Sequence, residues 1–175
     1  MNCYIVLLRG INVSGKNKLS MQELKVMLSD LNFTEVKTYI QSGNIVLKST
    51  DEISIVKNTI KQGIANTFGY DVPVLVKTIQ AWEKAIHNNP YTNEDKKQQY
   101  FTFLSEASEI KSIEVDVKAD TYKIIDDVVY VNAVGGYGKT KLTNNLFEKK
   151  LNVVATTRNL KTTLKLLELS KEIKV

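Results

Sequence analysis

Apolar positions along residues 1–79 switch between two periods. CYIVLL is a short unbroken apolar run of the length of a buried strand. After a glycine-containing loop, Leu24, Met27, Leu28 and Leu31 recur at i, i+3, i+4 and i+7, which places one buried stripe on a helix. Ser20 and Glu23 open that helix as an S-x-x-E capping box, and Asn32 stops it. VKTYIQ and NIVLKS, rich in β-branched and aromatic residues, flank Ser42-Gly43 as a hairpin. Ser49 and Glu52 repeat the capping box ahead of a second stripe, Ile53, Val56, Ile60 and Ile64, which runs to Phe68 and Gly69; VPVLVK then follows as a strand. The order strand, helix, strand, strand, helix, strand predicts a ferredoxin-like arrangement, with two helices over one face of a four-stranded antiparallel sheet. The other face needs a ligand or a cover, and 96 residues follow.

Beyond residue 79 the pattern is less regular. Trp82, Ala85 and Ile86 mark a short helix stopped by Pro90, and TNEDKKQQ reads as a surface connection and the domain boundary. YFTFL reads as a strand and SEASEIKSI as a helix. TYKIID and VVYVNA flank Asp126-Asp127 as a hairpin, although no glycine supplies the positive φ such a turn prefers. Two helices finish the chain: Lys141 to Leu151 after GGYGKT, and Leu160 to Ile173 after TTRN, with Leu160, Leu164 and Leu167 as the buried line of the second. The expected class is α+β with two α/β subdomains. Residues 1–79 form the ferredoxin-like subdomain, 80–98 a short helix and polar connection, and 99–175 the second subdomain. No internal repeat of solenoid length is visible.

Composition narrows the function classes. With 43% hydrophobic residues the chain can bury a core, and it has no run of eighteen apolar residues, so a soluble, cytoplasmic protein without a membrane span is expected. A single cysteine, Cys3, excludes an internal disulfide, and with one histidine, His87, no Cys/His metal cluster can be assembled. The net charge of +5 is uneven: +3 over residues 1–79, −4 over 80–137 and +6 over 138–175. The two ends therefore carry the cationic surface, which favours anionic partners. Only Arg9 and Arg158 are arginines among 24 cations, and a guanidinium offers the planar fork of donors that matches carboxylate or phosphate.

Three strings place those cations. GINVSGKN, from Gly10 to Asn17, fits the phosphate-cradling P-loop pattern until its last position, where Asn17 replaces the magnesium-binding hydroxyl, and the helix signal starts only at Ser20. A nucleotide-triphosphatase loop is therefore not expected. The weaker reading is a glycine loop whose N–H groups, with Arg9, Lys16 and Lys18, hold an anion; glycines that merely allow tight turns are the plain alternative. GGYGKTKLTNN repeats strand, glycine loop, lysine and helix, with Gly138, Lys139 and Lys141 near a helix start; here the alternative is a turn at Gly138 with Thr140 as N-cap. In TTRN either Thr156 or Thr157 can cap a helix and project Arg158 from its first turn, where the dipole disfavours a cation and so implies a partner, an internal carboxylate or a ligand phosphate.

The leading expectation is that Arg9, Asn12, Gly15, Lys16, Gly138, Lys139 and Arg158 meet at the subdomain junction and bind a phosphate-bearing or other anionic small molecule. Gln41, Ser42 and Asn44, at the tip of YIQSGN, are further polar contacts or ordinary turn chemistry. Nucleic-acid binding by the basic ends and a protein-interaction module without a small ligand are the alternatives. No cofactor and no metal are expected. Catalysis has little support: His87 ends a short helix, Asp126-Asp127 reads as a solvated turn, Cys3 as a buried inert thiol, and no nucleophile elbow is present.

Taken together, LLRGINVSGKNKLSMQEL, YIQSGNIVL, GYGKTKLTN and ATTRN, in this order, resemble a bacterial family known as a domain of unknown function numbered sixteen ninety-seven. The resemblance spans nearly the whole chain and implies a cytosolic protein of two α/β subdomains, the first ferredoxin-like, with no established activity. Ser14 stands where such proteins often have glycine, and Leu160 where tryptophan is frequent.

Overall fold

The computed structural model describes residues 1–173. Its compact units are Met1–Glu83 together with the chain from Lys165 onward, and Lys84–Leu164. Set against the expected 1–79, 80–98 and 99–175, the divisions fall inside two helices, α3 (Ile79–His87) and α5 (Leu160–Glu172). The polar stretch before residue 99 lies within the second unit. Asn89 Nδ2 donates to Gln99 Oε1 at 2.8 Å, Gln99 Nε2 to the Glu94 carbonyl at 2.9 Å and the Ala133 N–H to the Gln98 carbonyl at 2.8 Å, bonds that tie the stretch down as a linker would not be.

The first unit is the expected ferredoxin-like fold. Strands β1 (Asn2–Leu8), β2 (Thr34–Tyr39), β3 (Asn44–Ser49) and β4 (Val74–Thr78) form an antiparallel sheet in the order β2-β3-β1-β4. Helices α1 (Met21–Asp30) and α2 (Ile53–Phe68) return the chain between them. Tyr4, Val6 and Leu8 of β1, with Ile45, Leu47, Val74 and Val76 from its neighbours, pack against Leu24 and Leu28 of α1 and Val56, Ile60 and Ile64 of α2. Alternate strand positions share a face, so Ile5, Leu7, Val46 and Leu75 belong to the opposite side, and all four are buried. That face is therefore not an open ligand platform.

The two capping boxes differ. Ser20 Oγ accepts from the Glu23 N–H at 3.4 Å as expected, whereas α2 has Glu52 as its N-cap with no side-chain capping bond. Ser49 is the last residue of β3, and its hydroxyl accepts instead from the Asp51 N–H at 3.1 Å. A strand-end serine is too far back to reach the helix.

The second unit repeats the sheet. Strands β5 (Gln99–Leu104), β6 (Thr121–Ile125), β7 (Val128–Asn132) and β8 (Ala155–Asn159) are all antiparallel in the order β6-β7-β5-β8, the same 2-3-1-4 order as the first sheet. One helix, α4 (Asn144–Leu151), covers a face with Phe147 and Leu151 packed on Val129, Val131 and Ala155. The helix expected at SEASEIKSI does not form. Residues 105–120 are irregular, and Ile113, Val115 and Val117, alternating with exposed neighbours, pack against the core where the other unit places a helix. Tyr122 fastens this segment: its hydroxyl accepts from the Ile113 N–H at 2.8 Å and donates to the Ile113 carbonyl at 3.0 Å. A period of two, not 3.6, was the governing signal. At the β6–β7 hairpin Asp126 itself takes the positive φ, +53°, and pairs with Lys84 at 3.1 Å.

Candidate functional site

GINVSGKN folds as a miniature hairpin. Ser14 and Gly15 both have positive φ, +50° and +75°, the signature of a two-residue type I′ turn. Val13 and Lys16 form an antiparallel bridge around it, the Lys16 N–H donating to the Val13 carbonyl at 2.9 Å and the Asn12 N–H to the Asn17 carbonyl at 3.2 Å. Two of the loop's N–H groups are thus committed to the hairpin. The tip projects Val13, Ser14, Gly15 and Lys16 into solvent.

Asn12 is the staple that holds this hairpin to the neighbouring turn. Its Nδ2 donates to the carbonyls of Leu19 at 2.9 Å and Gln41 at 2.8 Å, and its Oδ1 accepts from the Leu19 N–H at 2.8 Å. Both amide hydrogens are therefore engaged within the fold. Asn44 is buried and donates to the Tyr39 carbonyl at 3.0 Å and to Ser42 Oγ at 2.8 Å, while Gln41 is exposed. The Leu8 N–H donates to the Gly43 carbonyl at 2.9 Å and the Arg9 N–H to the Pro73 carbonyl at 3.0 Å. The LLRGIN and YIQSGN strings consequently lie side by side, with Arg9 half-buried between the strand and the hairpin.

The cations of this segment have no acidic neighbour in sequence. No acidic residue occurs before Glu23, and Lys16 and Lys18 are exposed and form no ion pair among the described residues.

In the second unit, the GGYGKT string is not the entrance of a helix. Thr143, not Thr140, is the N-cap of α4, its hydroxyl accepting from the Leu146 N–H at 3.3 Å; Thr140 Oγ1 accepts instead from the Leu142 N–H. Gly138 and Lys139 lie several residues ahead of the first turn and outside the reach of its N–H groups. Lys139 instead borders a hollow shared with Asp116 and Asp120, and Lys141 approaches Asp116 at 3.8 Å.

Arg158 is a strand residue. It belongs to β8, opposite Phe101 of β5, and Asn159, not a threonine, caps α5 through the Thr162 N–H at 2.8 Å. Arg158 is therefore not in the first turn of α5. Arg158 is 8% exposed, and its Nη1 donates to Thr156 Oγ1 at 2.7 Å and to the Thr157 carbonyl at 2.9 Å. Of the seven residues expected in one site, Arg9, Asn12, Gly15 and Lys16 fall in the first unit and Gly138, Lys139 and Arg158 in the second.

A polar cluster that no local pattern announces joins the two C-terminal strings. Thr157 Oγ1 lies 2.6 Å from Asn144 Oδ1, 2.7 Å from Thr102 Oγ1 and 3.2 Å from Tyr137 Oη. An amide oxygen only accepts, so the Thr157 hydroxyl donates to Asn144 and accepts from Thr102 and Tyr137. Tyr137 Oη also accepts from the Asn144 N–H at 3.3 Å, an otherwise free donor at the start of α4. The Tyr137 ring leans on Tyr100, with centroids 5.3 Å apart.

Two groups, the half-buried Cys3 and the buried Tyr130, have shifted titration. Burial pushes the Cys3 thiol up, against a weaker opposing effect of Lys48, and its Sγ lies 3.9 Å from the Ser170 carbonyl, which only the protonated thiol can use as a donor. Because the thiolate is the nucleophile, Cys3 should react with iodoacetamide more slowly than free cysteine at pH 8, followed by intact mass. A rate equal to the free thiol's would refute this. Burial, then Asp127 and Asp126, raise the Tyr130 phenol, which donates to the Ala85 carbonyl at 2.6 Å. Among the described residues there is no group of His, Cys, Asp and Glu able to hold a metal, and no helix long and apolar enough to cross a membrane.

The family described as "Protein of unknown function (DUF1697)" matches residues 1–130. The chain belongs to this family. The matched span takes in LLRGIN and YIQSGN, which hydrogen-bond to each other in the fold. Among solved structures, the conserved bacterial protein SP0830 from Streptococcus pneumoniae is similar at 24% identity and a TM-score of 0.75, covering 97% of this chain and 98% of its own. That likeness shows that the same two-sheet α+β fold persists at low identity. No curated protein matches the chain.

Proposed function

We propose that this DUF1697 protein binds an anionic, phosphate-bearing ligand through the hairpin that carries Arg9, Lys16 and Lys18. The observation that supports the reading is electrostatic. Lys16 and Lys18 are exposed two residues apart, no carboxylate precedes Glu23, and neither lysine has an ion-pair partner among the described residues. Such a cluster repels itself and attracts anions, over a range of about 8 Å at physiological salt. Gly15 contributes shape: a Cβ there would meet nothing within 4 Å, so the tip is open to an approaching ligand. Gly138, Lys139 and Arg158 lie outside this site: Lys139 borders a hollow shared with Asp116 and Asp120, and the buried Arg158 guanidinium donates to Thr156 and Thr157 of its own strand.

The test is thermal stability across inorganic phosphate, nucleotides and single-stranded oligonucleotides, in the parent protein and in the double variant Lys16→Gln/Lys18→Gln. A ligand at a hundred times its Kd should stabilise the parent by about 2.7 kcal/mol, and the variant by much less. Equal shifts in both proteins, or none in either, would remove the hairpin from the account. A salt slope near −2 in log–log form would match two or three neutralised phosphates, whereas a much steeper slope with oligonucleotides would shift the reading to nucleic-acid binding.

A further inference from the structure

A second cationic feature lies in the unit Lys84–Leu164, outside every residue considered above for ligand binding. A cavity of ≈ 400 Å³ opens between the 3₁₀ turn Lys96–Gln98, the start of β5 and the first turn of α5. Its apolar surface is Tyr100, Leu160 and Leu164, and its cations are Lys96, Lys97 and Lys161; Asn159 completes the lining and no carboxylate contributes to it.

Each part is held in place for local reasons. Asp95 caps the 3₁₀ turn through the Lys97 N–H at 2.9 Å, which sets the two lysines at its head. The Tyr100 hydroxyl donates to the Lys97 carbonyl at 3.2 Å and accepts from the Tyr137 N–H at 3.3 Å. With both directions used, the ring presents a fixed apolar flank rather than a polar tip. Asn159 Oδ1 takes the Thr162 N–H and fixes the entry of α5.

The charged side chains lining the cavity are all cationic, and the neighbouring Asp95 carboxylate is engaged in capping the turn. The first turn of α5 has no acidic residue, carries Lys161, and adds the positive end of its own dipole to the field of Lys96 and Lys97. None of the three lysines has an ion-pair partner among the described residues. At the same place Leu164 is 44% exposed, an apolar side chain turned to water beside an aromatic ring. A purely inorganic anion would leave that apolar surface wet, and a neutral apolar molecule would leave the three charges uncompensated. The volume suits a small organic ligand.

We infer that this cavity binds a small amphiphilic anion, an aliphatic or aromatic body ending in one carboxylate or phosphate. The body covers Tyr100, Leu160 and Leu164, and the head lies among the three lysines. The inference is independent of the hairpin proposal and uses none of its residues.

The experiment is a titration of the full chain with decanoate and with decyl phosphate, followed by amide chemical shifts, with decanol and decyltrimethylammonium as matched controls. Both anions should saturate and move the amides of Lys96–Tyr100 and Asn159–Leu164, and the two neutral or cationic controls should bind at least about tenfold more weakly. Comparable affinity for the two anions would mean that charge alone selects the head; a preference for one identifies it as carboxylate or phosphate. The surface variants Lys96→Gln/Lys97→Gln/Lys161→Gln and Leu164→Asp should each lower anion affinity by about tenfold or more. Lys16→Gln/Lys18→Gln should leave it unchanged, which separates this site from the hairpin. Absence of saturable shifts at the cavity, binding of decanol equal to decanoate, or affinity retained in both cavity variants would each overturn the inference.

Discussion

Replacing Gly43 by alanine should destabilise the protein by about 2–5 kcal/mol, because two separate costs fall on one Cβ. Gly43 has φ +78°, where an L side chain crowds its own backbone at about 1–2 kcal/mol. The added atom would also lie 2.6 Å from Leu8 Cβ and 2.9 Å from Ile11 Cδ1. Leu8 is 1% exposed and its N–H donates to the Gly43 carbonyl, so a Cβ anchored this close to the chain can retreat only by moving β1 away from the turn. Overpacking of that kind adds about 1–3 kcal/mol. Gly15→Ala is the matched control: its φ is +75°, but nothing lies within 4 Å, so the backbone cost stands alone. For a chain of this length the melting temperature should fall by about 2–4 °C per kcal/mol, putting Gly43→Ala well below Gly15→Ala by calorimetry. Equal melting temperatures for the two variants would show that the close approach of Leu8 carries no cost.

The same residue shows how far a sequence can be read here. Ser42-Gly43 announced a hairpin turn, and the flanking strands pair as expected, because alternation and a turn glycine are both local signals. The contact with Leu8 was not legible, since nothing in YIQSGN points to a residue 35 positions earlier. GINVSGKN leaves two readings open. Its spacing resembles a phosphate loop, but Ser14-Gly15 between two β-bridged residues is also hairpin chemistry, and the return of the chain on itself decided between them. TTRN is ambiguous because threonine serves both as helix cap and as β-branched strand residue; pairing with β5 selects the strand and leaves Asn159 to cap α5.

The repeated sheet order was hidden for a related reason. In the first unit both crossovers are helices with clean stripes, and the topology follows from counting elements. In the second, one crossover is the irregular stretch 105–120, so the expected element series did not match the first and no repeat was visible. Two sheets with one strand order nevertheless bury their faces by different means: two helices in one case, a helix and an alternating apolar segment in the other.

Thr157→Val should cost about 2–3 kcal/mol although it changes shape very little. Valine matches threonine in volume and suits a strand, so β8 should form as before and the loss isolates the hydroxyl. Without it, Asn144 Oδ1 loses a donor, and Tyr137 and Thr102 both lose an acceptor, at a half-buried position where water restores only part of the network. Tyr137→Phe removes one of those bonds and also frees the Asn144 N–H at the start of α4, so alone it should cost about 1–2 kcal/mol. The two residues share a hydrogen bond, so the double variant should be less destabilised than the sum of the single variants, with a coupling of about 1 kcal/mol by denaturant unfolding. Strict additivity would mean that the strings GYGKTKLTN and ATTRN are stabilised separately. Coupling of the expected size would establish that one threonine hydroxyl, 20 positions from its tyrosine partner, joins two turns that the linear sequence keeps apart.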